Sequence, residues 1–125
     1  MNMKKLLIIG CGGFLGAVLR YVLISLVQNF SKDGLFPHGT LVVNVAGCFL
    51  IGILSNLLDT PAALTAELRF FLIIGFLGSF TTYSTFGNET IFLVQNQRYT
   101  LALLNVMMHM ILGFSAVLAG RAIPV

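Results

Sequence analysis

The stretch Gly75-Phe76-Leu77-Gly78-Ser79-Phe80-Thr81-Thr82-Tyr83-Ser84-Thr85-Phe86-Gly87-Asn88-Glu89-Thr90 decides how this chain folds. The apolar run before it, residues 68–77, is ten residues long. Ten helical residues rise about 15 Å, half of the roughly 30 Å hydrocarbon core of a bilayer. If the segment crosses a membrane, its polar half must sit at membrane depth. The quoted stretch, residues 75–90, carries three glycines and six Ser/Thr, a poor composition for a helix facing lipid. Non-helical backbone is tolerated in a bilayer only where protein or a water-filled cavity satisfies it. An interruption within residues 78–82 fits, because glycine permits unusual dihedrals and hydroxyls can satisfy freed backbone groups. A plain kinked span is the alternative.

The composition supports a membrane solvent. Hydrophobic residues make up 58% of the 125 and charged ones 9%, against about 25% charged in soluble domains. A globule of this size still needs a polar skin. The net charge of +3 arises from seven Lys/Arg and four Asp/Glu scattered along the chain, with no basic run to grip a nucleic acid. Cys11 and Cys48 lie inside apolar runs without metal-ligand spacing and read as small packing residues.

Working outward, residues 6–27 supply a first span and 40–58 a second, separated by a polar loop over 29–39. Lys4 and Lys5 precede the first run, but no A-x-A cleavage pattern follows, so the segment reads as a retained helix rather than a signal peptide. Asp59-Thr60-Pro61 reads as a helix stop, and Thr65 as an N-cap with Glu67 in the first turn of the third helix. The third span lies within 68–94 and the fourth runs from about 99 to 119, all in a single domain over residues 1–125.

Four spans put both termini on one side of the membrane. That side carries Lys4, Lys5, Arg69 and Arg121; the other carries Arg20, Lys32 and Arg98. Orientation follows this asymmetry, and four against three barely chooses. That balance is compatible with copies inserting both ways and so with an antiparallel homodimer. The chain shows no internal repeat, so inverted symmetry would have to come from a second copy.

The polar residues inside the spans have two readings each. Arg20 either snorkels to an interface as an anchor or attracts anions at a vestibule. Gly12/Gly16 and Gly13/Ala17 are small-xxx-small pairs that let helices approach closely. Thr40, Asn44, Cys48 and Gly52 repeat by four along one face of the second span. There Asn44 either bridges helices or offers amide N–H groups to a pore. Asn105, His109 and Gly113 repeat by four on the fourth span and form either a polar track or interhelical contacts. Glu89 is the one acid within a probable span interior. Tyr83 and Phe86, three apart, share a helical face; their rings either pack between helices or turn positive edges towards an anion.

Three stretches carry a specific likeness: residues 16–21, Gly-Ala-Val-Leu-Arg-Tyr; residues 39–47, Gly-Thr-Leu-Val-Val-Asn-Val-Ala-Gly; and residues 75–86 quoted above. They strongly resemble the Fluc (CrcB-type) fluoride channels, and the likeness covers nearly the whole chain. The resemblance implies an all-α integral membrane protein with four transmembrane helices, a broken third helix and an antiparallel dual-topology homodimer. It implies two fluoride pores and a structural sodium ion at the dimer centre, held by backbone carbonyls at Gly78 and Thr81. It assigns pore contacts to Asn44, Tyr83, Ser84, Thr85 and Phe86, and the first-helix arginine to Arg20. Asn105 and His109 continue the pore along the fourth helix. Tyr83 stands where the family's better-known members have phenylalanine, and His109 and Gly113 where serines are frequent. The implied activity is passive, fluoride-selective export across a prokaryotic cell membrane, with fluoride, lipid and a second copy as partners. No nucleotide motif, nucleophile–base constellation or proton relay points to an enzyme or a pump.

The rival reading is a small proton-coupled multidrug antiporter, which would want an acid central in its first span; residues 6–27 contain none. A second rival is a non-transporting assembly subunit whose polar residues serve as helix glue.

Overall fold

A computed structural model describes residues 1–32, 34–59 and 64–124. Its elements are helices α1 (Met3–Phe30), α2 (His38–Asp59), α3 (Ala66–Arg69), a π-helical stretch (Phe70–Leu77), then α4 (Gly78–Phe80), α5 (Tyr83–Gln95) and α6 (Tyr99–Arg121). Among the described residues four helical segments, Met3–Phe30, His38–Asp59, Ala66–Gln95 and Tyr99–Arg121, are long and apolar enough to cross a membrane. The described residues are otherwise turns and connecting segments.

The helices run past the apolar stretches because their ends find polar partners. Asn2 caps α1, its side chain accepting from the Lys4 amide at 3.0 Å, so both lysines fall within the helix. At the other end α1 continues through Asn29 to Phe30. Thr65 caps α3, accepting from the Leu68 amide at 3.3 Å, with Glu67 in the first turn. α2 ends at Asp59; the Thr60 and Pro61 of the expected helix stop lie outside the described residues.

Contacts at the helix ends define the up-and-down order. Lys4 pairs with Glu67 at 3.2 Å, the Lys5 ammonium lies 5.2 Å from the Phe70 ring centroid, and Asn56 Nδ2 donates to the Arg121 carbonyl at 2.7 Å. The start of α1, the end of α2, the start of α3 and the end of α6 therefore share one end of the bundle. The Lys4–Glu67 pair is exposed and contributes little beyond marking that end.

Backbone proximity sets the packing. α1 lies against the π-helical stretch and α4, and α2 lies mainly against α6. Gly12 and Gly16 are the buried residues of α1. A β-carbon on Gly12 would meet the Phe71 carbonyl oxygen, and one on Gly75 would come within 2.6 Å of the Ile9 carbonyl oxygen. Gly52 and Gly120 make the same kind of seam between α2 and α6. Of the two small-residue pairs in the first span, Gly12/Gly16 is the one that forms the seam.

A compact core of Val43, Leu77 and Phe80, flanked by Leu23, Ile24, Ala46, Ile51, Leu54 and Phe76, joins α1, α2 and the third span. Most other large apolar side chains point outward, among them Phe14, Tyr21, Leu103, Phe114 and Leu118. That is the distribution expected where lipid, not water, covers the surface.

Gly12→Ala and Gly120→Ala are each expected to destabilise the detergent-solubilised protein by about 1–3 kcal/mol, the usual scale of overpacking. Gly10→Ala, whose added methyl meets nothing within 4 Å, should be neutral or gain up to about 1 kcal/mol of helix propensity. Equal melting temperatures for all three would contradict the seams.

Candidate functional site

The third span changes character at two threonines. Helix persists through Phe80; Thr81 (φ −86°, ψ 158°) and Thr82 (φ −151°, ψ 113°) are extended; helix resumes at Tyr83. Sequence reasoning put an interruption within 78–82, and the extended residues are its last two. The Thr82 hydroxyl takes up a backbone amide that a continuous helix would have used, while the Thr81 hydroxyl adds a second donor to a carbonyl already paired in the helix. Thr81 Oγ1 donates to the Leu77 carbonyl at 3.0 Å. Thr82 caps α5, its hydroxyl oxygen accepting from the Thr85 amide at 3.2 Å and donating to Thr85 Oγ1 at 3.0 Å.

Asn44 clasps the Thr82 backbone from α2. Its Oδ1 accepts from the Thr82 amide at 2.8 Å and its Nδ2 donates to the Thr82 carbonyl at 3.0 Å. An amide with two N–H groups has one left over. Asn44 thus bridges helices and still has a donor to offer.

The clasp has a second effect. In a continuing helix the Thr82 amide would face the Gly78 carbonyl and the Thr85 amide the Thr81 carbonyl. Both amides are engaged elsewhere, one by Asn44 and one by the Thr82 hydroxyl. The Gly78 and Thr81 carbonyls are released from their helical donors.

Beside this break lies a cavity of about 440 Å³ between α2, the third span and α6. Its lining includes Asn44, Thr81, Thr82, Tyr83, Phe86 and His109, with Cys48 of α2 facing Gly113 of α6. The Tyr83 and Phe86 rings are 5.7 Å apart and tilted by 52°, consistent with a shared face. Phe86 is buried, whereas Tyr83 is 82% exposed. Phe86 also meets His109, centroids 4.3 Å apart.

From the cavity a buried polar line runs between α5, α6 and α2. His109 Nδ1 lies 2.9 Å from the Asn105 carbonyl. Asn105 Nδ2 donates to Thr90 Oγ1 at 2.9 Å, and that hydroxyl donates to the Phe86 carbonyl at 2.8 Å. Thr40 Oγ1 donates to Glu89 Oε1 at 2.8 Å. Glu89 Oε2, Asn105 Oδ1 and His109 Nε2 are buried without a hydrogen-bond partner among the described residues.

The remaining predicted site residues sit at the margin. Ser84 is exposed, its hydroxyl 3.3 Å from Thr82 Oγ1. Thr85 is half-buried, and neither it nor Ser84 lines the cavity. Gly78 is exposed on the cavity's edge. Arg20 is half-buried on α1, outside the cavity. Sequence reasoning did not single out Thr82 or Thr90. The one available signal was a hydroxyl placed near a span break or opposite a polar residue of the next span.

The family model described as CrcB-like protein, Camphor Resistance (CrcB), matches residues 7–121. The fluoride-specific ion channel FluC of Flavobacterium psychrophilum is 42% identical over 121 residues, covering 97% of this chain and 97% of that protein. That of Desulforapulum autotrophicum is 41% identical over 116 residues, covering 93% and 92%. The fluoride-specific ion channel FluC 1 of Methanosarcina acetivorans is 40% identical over 119 residues, covering 95% and 89%.

Asn44→Ala removes the partners of both the Thr82 amide and its carbonyl. Each group left unpaired costs about 1–3 kcal/mol, so a lower melting temperature in detergent is expected, with Asn44→Asp intermediate because it keeps the acceptor. An unchanged melting temperature for Asn44→Ala would show that the clasp does not hold the break.

Proposed function

The chain belongs to the CrcB-like family, and from that premise we propose that it is a passive fluoride channel that lowers the cytoplasmic fluoride concentration and so its toxicity. It is a multi-pass membrane protein with relatives in bacteria and archaea, and it is not an enzyme. The observation that carries the proposal is the cavity where Asn44, Thr82 and Phe86 meet at the extended break of the third span. Relatives about 40% identical over nearly the whole chain are named fluoride-specific channels. The antiporter reading has no such support, and an acid in the first span is still missing.

Fluoride is small and strongly hydrated, so a conduit must replace its water with hard donors. The spare Asn44 N–H, the hydroxyls of Thr82, Ser84 and Thr85, and the positive edges of Phe86 and Tyr83 are such donors. None is a fixed cation, so the ion meets no trap deep enough to stop it. Conduction needs sites favourable enough to enter and weak enough to leave. Asn105 and His109 extend the route along α6, and Arg20 serves as an anion-attracting vestibule group near the interface. Fluoride that enters a cell as neutral HF dissociates in a near-neutral cytoplasm, and a passive anion channel lets it leave.

The working unit is an antiparallel homodimer of oppositely inserted copies in the cell membrane. The near balance of Lys/Arg between the two sides supports it. So does the exposure of Gly78 and Tyr83, which a second copy would cover. In that dimer the third helix acts as a broken helix. Its released Gly78 and Thr81 carbonyls suit a hard cation that takes oxygen ligands, and sodium at the dimer centre would be held by them. When bound, the ion supplies a countercharge that ties the two breaks together. A carbonyl site of this kind needs no cluster of His, Cys, Asp or Glu, and none of three or more occurs among the described residues.

Purified protein in liposomes should release fluoride fast and chloride not at all when both are followed in parallel. Phe86→Ala should lower fluoride release at least about tenfold, a barrier increase of about 1.4 kcal/mol, while leaving dimer size unchanged. Dimeric protein that releases no fluoride in sodium buffer would sink the channel reading. Loss of dimer without altered flux per dimer would favour a purely structural role for these side chains.

A further inference from the structure

The hydrogen bonds around His109 fix its chemistry. A backbone carbonyl only accepts, so the 2.9 Å contact between Nδ1 and the Asn105 carbonyl puts the proton of a neutral ring on Nδ1. Nε2 is then a bare lone pair. Among the described residues it is buried without a partner, and the His109 ring, 8% exposed, lines the cavity against Phe86. The neighbouring orphan is also an acceptor. Asn105 Nδ2 donates to Thr90 Oγ1, whose own proton goes to the Phe86 carbonyl, so the atom left over on Asn105 is the carbonyl oxygen Oδ1. Lone pairs repel an anion. Past Phe86 the two orphaned atoms are thus both lone pairs, and a proton on one of them turns it into a donor for fluoride.

We propose that fluoride occupies the space beside Phe86 and His109 together with one proton, carried on His109 Nε2, which makes His109 a specificity-determining and pH-sensing residue of the pore. The proposal rests on the fluoride-channel reading and deepens it. Protonation turns Nε2 from an acceptor into a charged donor while Nδ1 keeps its bond to the Asn105 carbonyl, so the ring need not turn. The proton stays on the imidazole and fluoride moves on as the anion; no covalent bond forms or breaks except N–H.

Few other groups compete for that role. α6 packs against α2 and α5, which contain no Lys or Arg. Their titratable residues are His38, Cys48 and Asp59 on α2, and Tyr83 and Glu89 on α5. Of these, Cys48 and Tyr83 line the same cavity. His38 and Asp59 are the terminal residues of α2. Glu89 is tied through Oε1 to Thr40, while its Oε2 is buried without a partner among the described residues; it is an acid one turn beyond Phe86 and the one other group there that could hold the proton, which the His109→Gln comparison separates.

The test is fluoride release from liposomes loaded with potassium fluoride, counting only the valinomycin-dependent part, since leakage of neutral HF carries no charge. Wild-type release should fall as pH rises between about pH 6 and pH 8, approaching tenfold per unit above the imidazole's titration. His109→Gln, whose amide donates at every pH, should flatten the profile to within about twofold. A flat wild-type profile, or an unchanged slope in His109→Gln, overturns the proposal and leaves the channel intact. No valinomycin-dependent release at any pH would instead sink the channel reading. Should His109→Gln aggregate, fluoride added to weakly buffered wild-type protein in detergent at about pH 7.5 should draw protons from solution. No uptake overturns the proposal equally.

Discussion

The clasp between Asn44 and the Thr82 backbone is the interaction on which the rest of the structure depends. A membrane offers no water to a freed amide or carbonyl, so a span can abandon helix only where a neighbour takes over its backbone groups. Asn44 does so with both ends of one side chain. The consequence reaches both halves of the third span. The half before the clasp packs on α1 through the Gly12–Gly75 seam, and the half after it packs on α6 through Thr90 and Asn105. The two extended threonines are the joint that lets one span change neighbours, and the cavity lies at that joint.

The polar residues of the interior sort by how completely they are satisfied. Asn44, Thr81, Thr82 and Thr90 have partners that hold the backbone or a neighbouring helix in place. Glu89, Asn105 and His109 each spend one atom on structure and keep another free. A buried polar atom without a partner costs free energy.

Much of this was legible in the sequence, for definite reasons. The spans are readable because about 20 apolar residues are a physical length, and Thr65 announces a helix start by its chemistry. Asn44, Asn105 and His109 stand out because a polar side chain in an apolar run needs an explanation, and Phe86 because it interrupts hydroxyls. What was hidden depends on neighbours distant in sequence. That Thr40 meets Glu89, 49 residues away, and that Thr82 rather than its neighbours is clasped, are facts of tertiary packing. So is the very different exposure of Tyr83 and Phe86, which the same helical face would have suggested were alike. The π-helical stretch over Phe70–Leu77 has no signature in those residues, and the packing gives no physical account of it beyond its closeness to α1.

The tight turn between α5 and α6 bears on how the protein is made. Only Asn96, Gln97 and Arg98 separate the two helices, with Gln97 at φ 58° turning the chain back on itself. The third span is the least apolar of the four, and on its own Glu89 and Thr90 would make it a reluctant entrant to lipid. The Thr90–Asn105 bond crosses the turn and gives each polar side chain its partner from the other helix. The last two spans are thereby suited to leave the translocation machinery as one hairpin, with the weaker helix carried in by the stronger.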